Sequence, residues 1–268
     1  MLRTRLLGAV LLVPVIFLPL YFGGIPWLVF VLLVSALAWR EMNQLVQRDH
    51  FAVDRLLGLL FILAAVFGPY ALTAGLFRAD LLRPLLTGFL VVSLTWMLYS
   101  HSEHPTADWS MTVASALYLG ILLSHFIILR ERTDGLRWAV LALGLTWTAD
   151  VMAYFVGRAL GKHKLWPRIS PKKTWEGLAG GMVGVLVVGP LLGGWLLGLS
   201  FWQGLLVGVL VAVADPFGDL VVSLFKRVAN IKDSSNLIPG HGGVLDRLDS
   251  LLFTVPVITY FAWIVAGR

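Results

Sequence analysis

The chain has 268 residues, of which 58% are hydrophobic and 13% charged, and its mean hydropathy is +0.84. Soluble domains carry roughly a quarter charged residues, so this composition excludes an ordinary soluble domain and indicates an integral membrane protein. The sequence contains no cysteine, which excludes disulfide bonds and thiolate metal sites. The net charge of +6 is interpreted as a bias between the two membrane faces, and no nucleic-acid partner is predicted.

The first residues, MLRTRLLGAVLLVPVIFLPLYF, resemble a signal peptide because Arg3 and Arg5 precede an apolar stretch. No small-residue cleavage site follows, and the apolar run is long enough to span a bilayer. We therefore predict a retained first helix, and a cleaved signal peptide is the alternative.

Nine apolar runs are candidates for bilayer-crossing helices, each of about 20 residues. Because the runs are continuous and do not alternate with polar residues, they predict helices and not the strands of a barrel. The predicted fold is all-α, a polytopic membrane protein with about nine transmembrane helices. The predicted spans are 5–22, 25–47, 56–75, 82–99, 110–130, 136–158, 177–197, 201–227 and 250–266.

The two halves of the chain differ in character. Residues 1–135 form plain apolar segments with short links, and we predict that they serve packing and assembly. Residues 136–268 carry aspartates in their spans and two basic links, and we predict a catalytic membrane region there. Placing the link after the sixth span in the cytoplasm puts 13 of the 21 Lys and Arg on that side, as the positive-inside rule favours.

Aspartates lie inside the sixth and the eighth predicted span, at Asp150 and Asp219. A charge near the bilayer centre is unfavourable by at least about 2.5 kcal/mol, so such a residue indicates a function or a bound partner. Each aspartate lies eight residues before an arginine, Arg158 or Arg227, which places both carboxylates about 12 Å from a basic helix end. We expect the two aspartates to share one site; a structural ion pair or a protonated carboxyl group is the alternative.

One face of the eighth span is polar, because Asp215, Asp219, Ser223 and Lys226 recur at helical spacing. Pro216 interrupts this face, and proline removes a backbone hydrogen bond and tends to kink a helix. The pattern predicts a polar wall, kinked near the aspartates, beside protein or a water-filled cavity. Lys226 is expected at the rim of this wall, where water partly screens its charge.

Glycines recur at four-residue spacing in the seventh and eighth spans, as in Gly177 with Gly181 and Gly204 with Gly208. Small residues at this spacing let helices approach closely in lipid. Packing within one chain is the favoured interpretation, and a homodimer seam is the alternative.

Two polar links carry further side chains suited to chemistry. In the first link, SPKKT offers two lysines and two hydroxyl groups, which suit phosphate oxygens and equally suit anionic lipid headgroups. In the second link, PGHGG forms a turn whose backbone N–H groups can approach an anion, and DRLD places Asp246 and Asp249 on one helix face beside Arg247. Carboxylates bind Mg²⁺ and basic side chains bind phosphates, so this composition is typical of a nucleotide–metal site. The motifs of serine hydrolases, zinc proteases, P-loop proteins and Rossmann proteins are absent.

The segment SLFKRVANIKDSSNLIPGHGGVLDRLD, residues 223–249, resembles the signature of the phosphatidate cytidylyltransferases, also called CDP-diacylglycerol synthases. The fixed positions S-x-hydrophobic-K-R, K-D, P-x-H-G-G and D-R-hydrophobic-D are all present, and SPKKTWEG at 170–177 is similar to a second family segment. The specific resemblance covers about 150–250. It implies that CTP and phosphatidate react to give CDP-diacylglycerol and pyrophosphate in phospholipid biosynthesis. The implied location is the inner cell membrane, with multiple passes and the site facing the cytoplasm.

The resemblance implies a site made of three groups of residues. Mg²⁺ is expected on Asp219 and Asp246, with Asp150 and Asp249 next, and this many carboxylates could hold a second cation. The expected catalytic residues are Asp219, Asp246, Lys226, Arg227, Lys232, His241 and Arg247. The expected phosphate-binding residues are Ser170, Lys172, Lys173, Thr174, Ser223, Asp233, Gly242 and Gly243. The tryptophans that could stack on cytosine, although interfacial anchoring is favoured for them, are Trp147, Trp166 and Trp175.

Two rival functions share some of these features. A transporter also places intramembrane carboxylates beside a broken helix, but it needs access from both faces, and here the polar residues gather toward one. An enzyme that transfers a phosphoalcohol from a CDP-lipid would carry a D-G-x-x-A-R…D-x-x-x-D pattern, which this sequence lacks.

Overall fold

The structure, a computed structural model, describes residues 13–79, 81–237 and 242–266. Within these ranges ten helices and two short strands follow one another along the chain. The helices are α1 (Val13–Phe22), α2 (Gly24–Arg48), α3 (Arg55–Thr73), α4 (Leu82–Met97), α5 (Pro105–Glu131), α6 (Gly135–Leu160), α7 (Trp175–Leu197), α8 (Phe201–Val228), α9 (Leu245–Leu248) and α10 (Leu251–Ala266). The strands, which lie between α6 and α7, are β1 (Lys164–Trp166) and β2 (Ser170–Thr174).

The helices confirm the predicted all-α membrane fold. Seven helical segments of the described ranges are long and apolar enough to cross a membrane, when α9 and α10 are taken together as Leu245–Ala266. Helix α4, which corresponds to predicted span 82–99, has 16 residues, and predicted span 5–22 lies partly outside the described residues. The protein is therefore a multi-pass membrane protein, and the count of nine spans stays a prediction.

The first basic link, which the sequence suggests is a loop, forms a short antiparallel hairpin. Lys164 pairs with Thr174, and Trp166 pairs with Ser170. The Thr174 hydroxyl group accepts a hydrogen bond from the backbone N–H of Gly177 at 3.1 Å, so it caps the first turn of α7. The SPKKT motif therefore lies on a paired strand that leads directly into a helix.

The chain forms two compact units. The first unit contains the described residues up to Glu131 together with those between 228 and 247, and the second contains 132–227 together with the described residues from Leu248 onward. We call the described residues between 228 and 247 the signature link, and it belongs to the first unit. The predicted domains, 1–135 and 136–268, divided the chain by role, and that division stays a prediction.

In the first unit, α2, α3 and α5 pack together, and α4 packs against α3 and α5. Phe61 of α3 stacks on Phe89 of α4 with ring centroids 4.2 Å apart. Carboxylates fix the link between α2 and α3: Asp54 caps α3, and Asp108 of α5 accepts a hydrogen bond from Ala52 N at 2.8 Å. The first unit is thus a helical scaffold in which buried carboxylates fix the link between α2 and α3.

In the second unit, α6 packs along α7 and against α10. The hydroxyl groups of Thr146 on α6 and Thr254 on α10 form a buried hydrogen bond of 2.8 Å. Helix α8 is continuous from Phe201 to Val228 with Pro216 inside it, and the kink near the aspartates stays a prediction.

The glycine spacing serves close packing between helices of the same chain. A Cβ atom at Gly181 would lie 2.9 Å from the carbonyl oxygen of Ala149 on α6. A Cβ atom at Gly208 on α8 would lie 2.6 Å from the carbonyl oxygen of Val185 on α7. Larger side chains would force these helices apart. The homodimer alternative stays a prediction.

Candidate active site

Four aspartates of the second unit are linked by electrostatic interactions, and we call them the aspartate cluster. Asp150 lies on α6, Asp215 and Asp219 lie on α8, and Asp249 lies two residues before α10. Asp215 interacts with Asp150 and Asp219, and Asp249 interacts with the same two residues. Three of the predicted metal ligands, Asp150, Asp219 and Asp249, therefore belong to one cluster, which also contains Asp215.

Asp219 contacts two other residues of the predicted site. Its Oδ2 lies 2.6 Å from Lys173 Nζ, and its Oδ1 accepts a hydrogen bond from Ser223 Oγ at 3.0 Å. The sequence assigns Lys173 to a phosphate group, whereas in the structure its ammonium group pairs with a carboxylate. The two side chains are 27% and 24% exposed, so this ion pair remains accessible to a substrate.

Asp215 lies where α8 meets the start of α10. It is 6% exposed, and its Oδ1 accepts no hydrogen bond from any residue that the structure describes. Gly218 permits α8 to approach the segment before α10 closely, because a Cβ atom at Gly218 would lie 2.5 Å from the carbonyl oxygen of Asp249. Ser250 Oγ also donates a hydrogen bond to the Asp215 carbonyl oxygen at 3.2 Å. A buried carboxylate oxygen without a donor is unfavourable unless a cation or a proton meets it.

Lys226 lies deeper than the sequence predicts. It was expected at a water-screened rim, but it is only 8% exposed, and it interacts electrostatically with Asp249. A buried ammonium group needs a nearby carboxylate, which explains why this side chain accompanies the aspartate cluster. The next residue, Arg227, donates from Nε to the carbonyl oxygen of Ile169 at 3.0 Å and so joins the end of α8 to the hairpin.

A cavity of about 320 Å³ opens within the second unit beside the aspartate cluster. Residues of α6, α7, α8 and the hairpin line it. The charged side chains of its lining are Asp150, Asp215, Arg158, Lys172 and Lys173. Much of the remaining lining is apolar, as in small-molecule sites in general, so the cavity can receive a group that is anionic on one side and apolar on the other.

In the first unit, the signature link folds around the carboxylate of Asp246. Its Oδ2 accepts hydrogen bonds from Ser234 N at 2.8 Å, Ser234 Oγ at 2.9 Å and Gly243 N at 2.9 Å. Asp246 is 8% exposed. This predicted metal ligand is therefore also an acceptor for the backbone of its own link.

Glu41 of α2 is bonded to the same link, and the sequence analysis did not identify it. Its Oε1 accepts hydrogen bonds from Ser235 Oγ at 2.6 Å and Val244 N at 2.9 Å. Its Oε2 accepts a hydrogen bond from Leu245 N at 2.8 Å and lies 2.8 Å from Ser234 Oγ, whose single proton is shared with Asp246. A signal was present, because Glu41 is the only acidic residue in the first five predicted spans. A charge in an apolar span indicates a function or a partner there as it does in the later spans.

Gly242 and Gly243 permit this arrangement. Gly242 has a φ of +80°, which lies in the left-handed region that favours glycine. A Cβ atom on Gly243 would collide with Ser234 Oγ and would lie 2.5 Å from Glu41 Oε2. The two glycines therefore have a structural reason to be present, and their predicted contact with a phosphate stays a prediction.

The remaining predicted site residues lie in different surroundings. Ser170 is partly exposed, and Thr174 is buried at the start of α7. His241 lies outside the described residues. The predicted site residues that are charged and exposed are Lys172, Lys232, Asp233 and Arg247. The three tryptophans considered for stacking on cytosine are exposed, with relative exposures of 45% to 57%: Trp147, Trp166 and Trp175.

Among residues 13–79, 81–237 and 242–266, no group of three or more His, Asp or Glu side chains could hold a metal ion by itself. Mg²⁺ usually keeps several waters and takes only one or two protein carboxylates together with substrate phosphates. The aspartate cluster offers hard oxygen donors, including the unpaired Oδ1 of Asp215. These donors fit a cation that is shared with a substrate and do not form a closed protein cage.

The chain is similar to known proteins over nearly its whole length. The model of the cytidylyltransferase family matches residues 3–265. The phosphatidate cytidylyltransferase of Staphylococcus haemolyticus is 34% identical over 259 residues, which cover 96% of this chain and 97% of that protein. The protein of the same name from Bacillus subtilis is 33% identical over 267 residues, which cover 97% of this chain and 96% of that protein. The resemblance of segment 223–249 is thus confirmed, and the chain belongs to the cytidylyltransferase family that includes these two proteins.

Proposed function

We propose that this protein transfers a cytidylyl group from CTP to phosphatidate, giving CDP-diacylglycerol and pyrophosphate. The observation that carries the proposal is the aspartate cluster with Lys173 and Lys226, beside a cavity in a membrane-spanning unit. Binding of a lipid phosphate needs an apolar wall, and binding of a nucleoside triphosphate needs cations and metal ligands. The names of the relatives agree with this activity.

The bond changes define what the site must do. An anionic phosphate oxygen of phosphatidate attacks the α-phosphorus of CTP, and the bond between that phosphorus and the oxygen bridging to the β-phosphate breaks. The attacking oxygen is already ionised at neutral pH, so the reaction needs neither a strong general base nor a covalent enzyme intermediate. The obstacle is repulsion between anions, so catalysis consists of positioning and of stabilisation by cations.

The basic side chains of the site are proposed to bind the phosphates. Lys173 can exchange Asp219 for a substrate phosphate because both side chains are partly exposed. Lys172 is exposed at the same cavity. The further basic residues proposed to contact phosphates are Lys226, Arg227, Lys232 and Arg247. The proposed phosphate-binding residues that are not basic are Ser170, Thr174, Ser223, Asp233, Gly242 and Gly243.

The aspartates are proposed to hold Mg²⁺. Asp219 and Asp249 lie near each other in the second unit, and Asp215 contributes an unpaired oxygen atom. The signature adds Asp150 and Asp246 to the proposed ligands, and this many carboxylates could hold a second cation. When bound, Mg²⁺ supplies positive charge that offsets the charge on the reacting and leaving phosphates.

A purified-protein assay tests this function. The protein in detergent is incubated with CTP, phosphatidate and Mg²⁺, and pyrophosphate release is followed. We expect release that requires both substrates and stops when a chelator removes the divalent metal. Turnover that survives chelation would overturn the metal role, and absence of turnover under every condition would overturn the function.

We also propose that the site faces the cytoplasm, at the inner cell membrane. The proposal rests on the 13 basic residues that the predicted topology places on that side and on the cytosolic location of CTP. Single cysteines at Lys164 and Asn236 test it, because the chain has no native thiol. We expect an impermeant thiol reagent to label them only after the cells are permeabilised, and labelling in intact cells would contradict this orientation.

A further inference from the structure

We infer that Glu41 is a positioning residue for cytidylyl transfer, which holds the signature link and its Asp246 in the geometry that the reaction needs. The inference rests on the proposed function and extends it to α2, a helix outside the signature. It assigns to Glu41 no contact with a substrate or a metal.

The signature link supplies the donors that surround the Glu41 carboxylate. Ser235 Oγ, Val244 N and Leu245 N donate hydrogen bonds to it, and the Ser234 hydroxyl group has one proton, which it shares between Glu41 and Asp246. Two donors, Ser234 and Ser235, precede segment 238–241, and the other two, Val244 and Leu245, follow it. One side chain therefore joins the two stretches that flank segment 238–241. Because donors of the link surround its oxygen atoms and it is 3% exposed, Glu41 acts through the link and not on a substrate.

Ser234 connects Glu41 to Asp246. Its hydroxyl oxygen lies 2.8 Å from Glu41 Oε2 and 2.9 Å from Asp246 Oδ2. Gly243 is held from both sides as well: its N–H donates to Asp246, and a Cβ atom on it would lie 2.6 Å from Glu41 Oε1. A displacement of the Glu41 carboxylate would therefore move the groups that fix Asp246.

A positioning role must be distinguished from a purely structural one, and Asp108 provides the matched control. It is a buried carboxylate of the same unit, and it accepts hydrogen bonds from Ala52 N and Ser102 Oγ. These donors belong to links between helices and not to the signature link. Asp108→Asn and Glu41→Gln each replace one carboxylate oxygen by an NH₂ group, which cannot accept a hydrogen bond.

The test compares the two variants in the full-length protein in detergent. Small misplacements of a site can reduce a rate by up to about 10²-fold, so we expect Glu41→Gln to lower kcat by about tenfold or more. We also expect it to raise the Mg²⁺ concentration needed for half-maximal rate. Asp108→Asn should lower the thermal unfolding midpoint while leaving both kinetic quantities unchanged.

Hydrogen–deuterium exchange gives a measurement that does not depend on activity. We expect the peptide that contains Val244 and Leu245 to exchange at least about tenfold faster in Glu41→Gln, because both N–H groups lose a charged acceptor, and to be unchanged in Asp108→Asn. Ser234→Ala should produce the same changes to a smaller degree. If Glu41→Gln does not fold, Ser234→Ala takes its place in the comparison.

The outcomes separate this inference from the proposed function. Faster exchange with normal kcat and normal Mg²⁺ dependence would overturn the positioning role, as would unchanged exchange. Equal kinetic losses in Glu41→Gln and Asp108→Asn would also overturn it, since they would indicate a general loss of stability. If the unsubstituted protein releases no pyrophosphate, the proposed function fails, and the role in catalysis fails with it. The exchange rates then still decide whether Glu41 holds the link.

Discussion

The buried carboxylates of the first unit have different neighbours from those of the second. In the first unit, Glu41, Asp108 and Asp246 accept hydrogen bonds from backbone N–H groups and hydroxyl groups. In the second unit, Asp215 and Asp249 interact with other aspartates and with lysines. Neutral donors stabilise a carboxylate in one fixed place, whereas neighbouring carboxylates repel one another until cations offset their charge.

This difference indicates a division of labour. Glu41 and Asp108, which accept hydrogen bonds from N–H and O–H donors, fix the backbone around them, and Asp246 does so in addition to its proposed role as a metal ligand. A carboxylate that shares its surroundings with others has a reason to bind cations, whether from lysine, metal or both. The second unit would then hold most of the proposed metal ligands, and Glu41 and Asp108 of the first unit would fix the backbone around their own carboxylates.

Asp219→Asn tests the second unit's role with the largest expected effect. The neutral amide can no longer attract Mg²⁺ or pair with Lys173, so we expect kcat to fall on the order of 10²-fold or more. Steady-state rates at a series of Mg²⁺ concentrations measure it, and high Mg²⁺ should recover part of the loss. Near-normal kcat at low Mg²⁺ would show that Asp219 is not a ligand and would remove the contrast between the units.

Asp215→Asn sharpens the comparison, because its two effects should have opposite signs. Removing one charge from a cluster of like charges relieves repulsion, so we expect the thermal unfolding midpoint to stay the same or rise. We expect kcat to fall by about tenfold, since the unpaired Oδ1 is a candidate cation donor. Asp108→Asn in the first unit should instead lower the midpoint. A midpoint that falls equally in both variants would mean that Asp215 is a structural acid like those of the first unit.

Most of the fold could be predicted because its signal is local. Long apolar runs predict membrane helices wherever they occur, and the described helices follow the predicted spans closely. The hairpin at 164–174 was missed because its strands have only three and five residues, three of which are lysines. Such strands form through pairing with each other and carry no alternating apolar pattern of their own.

The predicted site was incomplete because part of it depends on distant contacts. Asp150 and Asp219 were found since a charge inside an apolar run is visible in the sequence itself. The bonds between Glu41 and the signature link join residues 193 to 204 positions apart, which no spacing rule can show. The depth of Lys226 depends likewise on how α8 packs. Burial of a side chain at a helix end is a property of the fold and not of the helix alone.

Two adjacent lysines offer a smaller test of the second unit. Lys173 pairs with Asp219, whereas Lys172 is exposed at the cavity. We expect Lys173→Gln to lower kcat by about tenfold, because it removes a positive charge beside the aspartate cluster. We expect Lys172→Gln to raise KM for phosphatidate a few-fold with little change in kcat. The difference in KM between this variant and the unsubstituted protein should shrink at high salt. Rates at several phosphatidate and salt concentrations measure both variants. Identical behaviour would mean that the ion pair with Asp219 has no role in turnover.

Ser235→Ala should have the smallest effect, and it tests whether the first unit's acids are saturated as a group. The variant removes one of four donors to Glu41 and leaves Ser234 Oγ and two backbone N–H groups in place. A single hydrogen bond to a carboxylate contributes about 1.5 to 3 kcal/mol to the free energy of unfolding where it is fully buried. Ser235 is partly exposed, so we expect Ser235→Ala to lower the free energy of unfolding by about 1 kcal/mol. Because three donors still hold the carboxylate, kcat should fall by no more than about threefold and the Mg²⁺ dependence should not change. A loss as large as that expected for Glu41→Gln would mean that the remaining donors do not hold the Glu41 carboxylate, and the acids of the first unit would then not be saturated as a group.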